Sequence, residues 1–195
     1  MPIKSRFILF LFFLLSLGAV AQDLNAPIPL NPKVRYGKLP NGLTYYIVQN
    51  KKPENKVELR IAVNTGSVLE DEDQQGLAHF MEHMNFNGLK NFPHNDIVHY
   101  LQSIGVKFGA DLNAYTSFEE TVYMLPIPTT DKTVIDKGFT IISDWSRNAL
   151  LDPEEIEKER GVVLEESRLG KGADDRMMKK YLPELLNGSI YANRL

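Results

Sequence analysis

The chain has 195 residues, of which 43% are hydrophobic and 24% are charged, with 13 Gly and 11 Pro. This composition is typical of globular proteins and excludes collagen-like, low-complexity and disordered classes. The net charge of -3 offers no basic surface to a nucleic acid, and the lack of cysteine excludes disulfides, thiol nucleophiles and Cys-based zinc sites. Any metal must therefore be bound by His and carboxylate side chains.

The first 21 residues have the pattern of an export signal. Two basic residues precede an apolar run from Phe7 to Leu17, which is much shorter than the roughly 20 residues of a membrane-spanning helix. Ala19-Val20-Ala21 then supplies a cleavage pattern of small residues. We expect residues 1–21 to be a cleaved signal peptide and residues 22–195 to be periplasmic or secreted, with no membrane span; the alternative is an anchor that stays attached.

Strands are predicted at the start of the mature chain. Val34 to Leu39 and Leu43 to Gln49 flank a Pro-Asn-Gly turn, and Asn-Gly between apolar runs is a strong hairpin signal. Val57 to Asn64 alternates apolar and polar residues, which indicates a third strand with one buried face.

The middle of the chain changes from helical to extended patterns. From Gly76 to Met84 the apolar residues follow helical spacing, and a second short helix is predicted from His94 to Ile104. Val106 to Leu125 returns to strand patterns, with a turn near Ser117. Pro126 and Pro128 are expected to end that stretch.

Three helices are predicted after these prolines: Asp131 to Leu150, Asp152-Pro153 to about Leu169, and roughly Asp174 to Leu186. Asp152 is a suitable N-cap, and proline is favoured at the first helical position. Antiparallel strands combined with long helices predict an α+β fold, with a mostly antiparallel sheet and helices packed on one face.

The segment from His79 to His83 contains the candidate metal-binding and catalytic residues. The two histidines lie one helical turn apart, so both imidazoles can reach one ion, while Glu82 points to the side of them. The spacing H-x-x-E-H is the inverse of H-E-x-x-H, and both are zinc hydrolase motifs. Zinc binding by His79 and His83 leaves Glu82 free to act as the general base.

A third ligand must come from a carboxylate or from His94 or His99, whose spacing is poor for a shared site. The acidic helix after Pro153 is the better source, since Glu159 and Glu166 fall on one stripe with Ile156, Val162 and Val163, whereas Glu157 and Glu165 point away. Carboxylates on an apolar stripe need a partner when buried, and a zinc ion with its histidines would serve. The alternative is a solvated acidic helix without a site role.

These motifs, together with Asn113-Ala114-Tyr115-Thr116 and the run from Glu159 to Glu166, resemble those of the insulinase or pitrilysin family of zinc peptidases. The resemblance implies one zinc ion bound by His79, His83 and Glu166, with Glu82 as the general base. It also implies that Glu159 orients one of the zinc ligands without binding the ion itself. Glu165 is the alternative third ligand. Asn113 and Ala114 match the edge-strand segment on which such enzymes bind the substrate backbone.

The resemblance also implies that residues 22–195 are the amino-terminal part of an exported catalytic domain whose carboxyl-terminal part is missing. Family members close a chamber with a second homologous half or partner chain. We therefore expect a zinc endopeptidase that cleaves peptides or small proteins. The alternative is a non-catalytic peptide-binding subunit of a two-chain peptidase, although such relatives typically lack part of the metal motif.

Overall fold

The computed structural model describes residues 26–107, 109 and 113–194. The predicted signal peptide, residues 1–21, lies outside these described residues. The chain divides into two compact units, one ending at Lys51 and the other beginning at Lys52.

The first unit contains a β-hairpin. Strands β1 (Val34–Lys38) and β2 (Thr44–Val48) pair antiparallel, with Val34 opposite Val48. Gly42, at the tip, has a φ of 92°, in the left-handed region that glycine tolerates best. The hairpin predicted around the Pro-Asn-Gly turn is confirmed.

The second unit contains a three-stranded antiparallel sheet. Its strands are β3 (Lys56–Val63), β4 (Asn113–Thr116) and β5 (Thr121–Pro128), in the order β3-β5-β4. Every second residue of β3, beginning with Val57, is partly buried, and the residues between are exposed. This alternation confirms the predicted one-sided strand, whereas the stretch predicted as strand from Val106 has its first described strand residue at Asn113.

Pro126 does not end the strand as predicted, because β5 continues through it; the strand ends at Pro128, the second of the two prolines. They lie opposite Glu58 and Lys56 of β3, beyond Met124, where the pairing with β4 ends. Residues two apart direct their backbone groups to the same side of a strand, so both missing N–H groups can face the side on which the described residues form no pair with β5 beyond Met124. The sequence pattern could not show that, among the described residues, β5 pairs only with β3 beyond Met124.

Five helices follow the predicted positions with ends shifted by a few residues: α1 (Leu77–Met84), α2 (Asp96–Ser103), α3 (Lys132–Arg147), α4 (Pro153–Gly170) and α5 (Ala173–Leu185). The carboxylate of Asp152 accepts hydrogen bonds from the first turn of α4, as its sequence predicted. Short 3-10 segments cover Ser67–Leu69 and Ile190–Asn193.

The core lies between the inner face of the sheet and the helices. Leu125 and Ile127 of β5 are buried against Ile141 and Trp145 of α3. Gly138 lets α3 approach closely, since a Cβ at that position would lie 3.2 Å from Leu59 Cδ1 and would overlap Ile127. The predicted α+β class, with helices on one face of an antiparallel sheet, is confirmed.

The carboxyl end of α1 is fixed to this core through Asn85. Trp145 Nε1 donates to the backbone oxygen of Asn85 over 3.0 Å, and Asn85 Nδ2 donates to the hydroxyl of Tyr123 over 2.6 Å. Tyr123 stacks on Trp145, and burial raises the pKa of Tyr123 to about 12. These contacts hold the carboxyl end of α1 in a fixed position relative to the sheet and α3.

The amino end of α1 is fixed by Glu70. Its carboxylate accepts hydrogen bonds from the backbone N–H groups of Gly76 and Ala78, over 3.0 and 2.8 Å, which satisfies donors that a helix start leaves open. The buried side chain of Arg194 donates to the backbone oxygen of Glu70 over 3.0 Å and pairs with the carboxylate of Glu72. Both ends of α1 are therefore tied to other parts of the second unit.

Candidate metal centre

His79 and His83 meet on the side of α1 that faces α4. Their Nε2 atoms are 3.2 Å apart, and their rings are nearly perpendicular, with centroids 4.8 Å apart. The side chain of His79 is 41% exposed and that of His83 is 17% exposed. One turn of helix thus brings the two Nε2 atoms together at one partly solvent-accessible position, as the spacing predicted.

Glu166 of α4 reaches the same spot from the neighbouring helix. Its Oε2 lies 3.6 Å from His79 Nε2 and 3.3 Å from His83 Nε2. The three ligand atoms all lie within 4.8 Å of one another. The structure therefore brings together the two histidines and the carboxylate named from the sequence.

The spacing of these three atoms fits a zinc ion. Bonds of about 2.0–2.1 Å in a tetrahedral arrangement place two ligand atoms roughly 3.3–3.5 Å apart. The measured separations of 3.2, 3.3 and 3.6 Å match this value within a few tenths of an ångström. Two imidazoles and one carboxylate are also a donor set of catalytic zinc sites, which leave a further coordination position for water.

Glu159 lies behind His83, on the side away from the proposed ion. Its Oε1 is 2.7 Å from His83 Nδ1, and its Oε2 accepts a hydrogen bond of 2.6 Å from Asn87 Nδ2. The Glu159 side chain is only 15% exposed. A carboxylate at Nδ1 favours the tautomer that carries its proton there, which leaves the Nε2 lone pair of His83 directed toward His79 and Glu166.

Glu82 stands apart from the three clustered side chains. Its Oε2 accepts a hydrogen bond of 2.6 Å from the hydroxyl of Thr116, on β4. This arrangement agrees with the expectation that the middle acid of the motif points sideways from the two histidines.

Helix α4 is more exposed than the apolar stripe in its sequence predicted. No residue of α4 is buried, and the Glu166 side chain is 50% exposed. Val162, on the same stripe, is 47% exposed. The stripe does bring Glu159 and Glu166 to the side of α4 that meets α1, but burial is not the reason that Glu166 needs a partner.

The alternative ligands lie elsewhere. Glu165 accepts two hydrogen bonds from Arg168, which hold the pKa of its carboxyl below the usual range. His94 precedes α2 and His99 lies within it, and neither belongs to the group formed with Glu166. These positions leave Glu166 as the carboxylate that shares a site with both motif histidines.

Asn113 and Ala114 begin β4, which lies at the edge of the described sheet. Ala114 and Thr116 are partly buried and Asn113 and Tyr115 are exposed, so Thr116 shares the inner face with Ala114. The Asn113 side chain accepts a hydrogen bond from the Ala114 backbone N–H over 3.0 Å.

Asn87 and Thr116 are partners of the site that the sequence did not predict. A signal was present for Thr116, which lies two residues after Ala114, the separation that places side chains on one face of a strand. Asn87 lies beyond the end of α1, so helical spacing from His83 does not place it. Nothing local signals that Glu70 caps α1, because it precedes the helix by an irregular segment.

Residues 45–193 match the family described as insulinase, peptidase family M16. The chain belongs to the insulinase family of peptidases. This membership confirms the resemblance drawn from the motifs, and with it the expectation of a metallopeptidase fold.

The insulinase-family relatives are much longer than this chain. It is 40% identical over 160 residues to a probable zinc protease PqqL of Haemophilus influenzae, covering 82% of this chain and 17% of the relative. It is also 40% identical over 180 residues to the PqqL of Escherichia coli, covering 90% and 19%. Both are named as zinc proteases, which confirms zinc as the expected cofactor.

A solved structure supports the same fold. The crystal structure described as the first half of the periplasmic protease PqqL from Escherichia coli superposes with a TM-score of 0.83 at 40% identity, covering 87% of this chain and 36% of that one.

In the part of the chain described here, no helix combines the length and apolarity needed to cross a bilayer.

Proposed function

We propose that this chain contributes the zinc-binding part of an endopeptidase that hydrolyses peptide bonds outside the cytoplasm. The observation that carries the proposal is the convergence of His79, His83 and Glu166 at separations that suit one zinc ion. Family membership and the names of the PqqL relatives support the same chemistry.

The proposed roles follow from where each side chain lies. His79, His83 and Glu166 would hold the zinc, and Glu159 fixes the ring of His83 from behind. When bound, zinc supplies Lewis acidity, which acidifies water and polarises a peptide carbonyl. Glu82 takes the proton of the attacking water and returns it to the leaving amine.

Strand β4 supplies the proposed substrate surface. It pairs with β5 on one side and is the edge strand of the described sheet. An extended peptide can add to such an edge through backbone hydrogen bonds, and we assign Asn113 and Ala114 to this contact. Because Thr116 of the same strand touches Glu82, the bound backbone would lie near the base.

We further propose that the chain is exported and acts with a second half or partner chain. The sequence pattern of residues 1–21 supports export, as does the description of the Escherichia coli PqqL structure as a periplasmic protease. That the chain spans only 17% and 19% of the two PqqL relatives supports a larger assembly.

The test uses the full-length protein that contains this chain, with zinc analysis and a peptide-cleavage assay. Glu82→Gln should keep one zinc per catalytic domain and lose on the order of 10²- to 10⁴-fold in kcat, because the amide cannot accept the proton. His79→Ala should lose the zinc. Glu157→Gln, which changes an exposed acid on α4, is the matched control and should alter neither property.

Three outcomes would overturn parts of the proposal. Undiminished turnover by Glu82→Gln would remove the base assignment. Stoichiometric zinc in His79→Ala would remove the ligand assignment, and peptide binding without cleavage by the wild-type protein would favour a non-catalytic binding subunit.

A further inference from the structure

We propose that Thr116 is a positioning residue for the base Glu82. Strand β4 would thereby hold the base and a bound peptide at a fixed distance from each other. This inference rests on the proposed function. It assigns a role to a side chain outside the zinc motif, on a different element of the fold.

The first observation is the contact itself. The Thr116 hydroxyl donates to Glu82 Oε2 over 2.6 Å, a short distance that is typical of a hydroxyl bound to a carboxylate. Across residues 26–107 and 113–194, Thr116 is the one side chain that hydrogen bonds to Glu82. Among the described residues, this bond is therefore the polar side-chain contact that can orient the Glu82 carboxylate.

The second observation fixes the direction in which Thr116 donates. The other hydroxyl near it belongs to Thr121, at 3.5 Å, and Thr121 itself donates to the backbone oxygen of Thr65 over 2.9 Å. The contact to Thr121 is too long to compete with the contact of 2.6 Å to Glu82. Thr116 therefore directs its proton at Oε2, which leaves Oε1 as the oxygen that can face water.

The third observation is the place of Thr116 in the strand. It lies on the inner face of β4, two residues after Ala114, and α1 packs on this strand. A rigid strand transmits position well, because its register with β5 fixes Thr116 opposite Thr121. A peptide added to β4 and a carboxylate held by β4 would thus keep a constant separation, which matters because small displacements of reacting groups are costly.

The experiment compares Thr116→Val with Thr116→Ser in the full-length protein. Valine keeps the branched shape and removes the hydroxyl, whereas serine keeps the hydroxyl. We expect Thr116→Val to lower kcat by about 10- to 100-fold, with KM changed less than about threefold. Thr116→Ser should restore kcat to within about threefold of wild type, and both variants should bind zinc as wild type does.

Two further measurements distinguish a positioning role of Thr116 from a role in stabilising the fold alone. In crystals of the metal-free variants, the Glu82 carboxylate should leave its wild-type position in Thr116→Val and keep it in Thr116→Ser. In a Glu82→Gln background, Thr116→Val should cause little additional loss of kcat, because the group that it positions has already been disabled. Thr140→Val, the same substitution at a partly exposed position of α3 away from the site, is the matched control.

The outcomes distinguish this inference from the proposed function. If Glu82→Gln is impaired and Thr116→Val behaves as wild type, the positioning role fails while the base assignment stands. If Glu82→Gln is fully active, the proposed function fails first. Equal losses in the Val and Ser variants, or loss of zinc from either, would show a structural role for Thr116 and overturn the inference.

Discussion

Replacing Glu159 by Gln tests how the support behind His83 contributes to zinc binding. Glu159 contacts His83 Nδ1 over 2.7 Å and accepts from Asn87 Nδ2 over 2.6 Å, and its side chain is 15% exposed. The substitution keeps the size of the side chain but removes its charge. It also replaces one acceptor atom by a donor.

The expected magnitude follows from these two bonds. A hydrogen bond to a charged acceptor contributes about 1–1.5 kcal/mol more than one to a neutral acceptor. The new amide N–H must also face a donor, at either His83 or Asn87, which costs about 1 kcal/mol more. The sum of about 2–2.5 kcal/mol corresponds to a zinc Kd that rises roughly 30- to 70-fold.

Competition of the full-length protein with a chromophoric chelator at neutral pH measures this Kd directly. Glu157→Gln, on the exposed side of α4, should change it by less than about twofold, since exposed pairs contribute little. The double variant Glu159→Gln/Asn87→Asp gives the new amide an acceptor again and should recover part of the affinity. An unchanged Kd for Glu159→Gln alone would refute the argument that this carboxylate supports the ligand.

Three further predictions concern the scaffold and the metal. Asp144→Ala should lower the free energy of unfolding by about 2–4 kcal/mol in denaturant titrations, because buried Asp144 accepts from the backbone and side-chain amides of Asn91; Asp136→Ala, exposed on the same helix, should change it by less than about 0.5 kcal/mol. Gly66→Ala should cost about 1–3 kcal/mol in the same assay, since a Cβ there would lie 2.6 Å from Phe118 O, and an unchanged midpoint would contradict this contact. A chelator should abolish peptide cleavage and added zinc should restore it; cleavage that survives complete zinc removal would contradict the proposed chemistry.

The parts of the fold that the sequence predicted depend on local signals. Helix α4 begins where Asp152 and Pro153 predict it, because capping needs only the first turn. The histidine pair converges because four residues make about one helical turn. The alternation in β3 reports directly which face of the sheet is buried.

The parts that it did not predict depend on contacts between distant segments. The passage of β5 through Pro126 depends on which strand lies beside this part of β5, and that pairing is not visible in the sequence. The hydroxyl that binds Glu82 is 34 residues away along the chain, and the amide that binds Glu159 is 72 residues away. A single sequence gives the residue types in such pairs but not their pairing.

The contact between Arg194 and the backbone oxygen of Glu70 has a consequence for the order in which the molecule assembles. The two residues are separated by 124 positions, and Glu70 closes the amino end of the helix that carries both histidines. During synthesis from the amino terminus, Glu70 is available long before the guanidinium of Arg194 that contacts it. The amino end of the histidine helix therefore cannot acquire its complete set of contacts until residue 194 has been made.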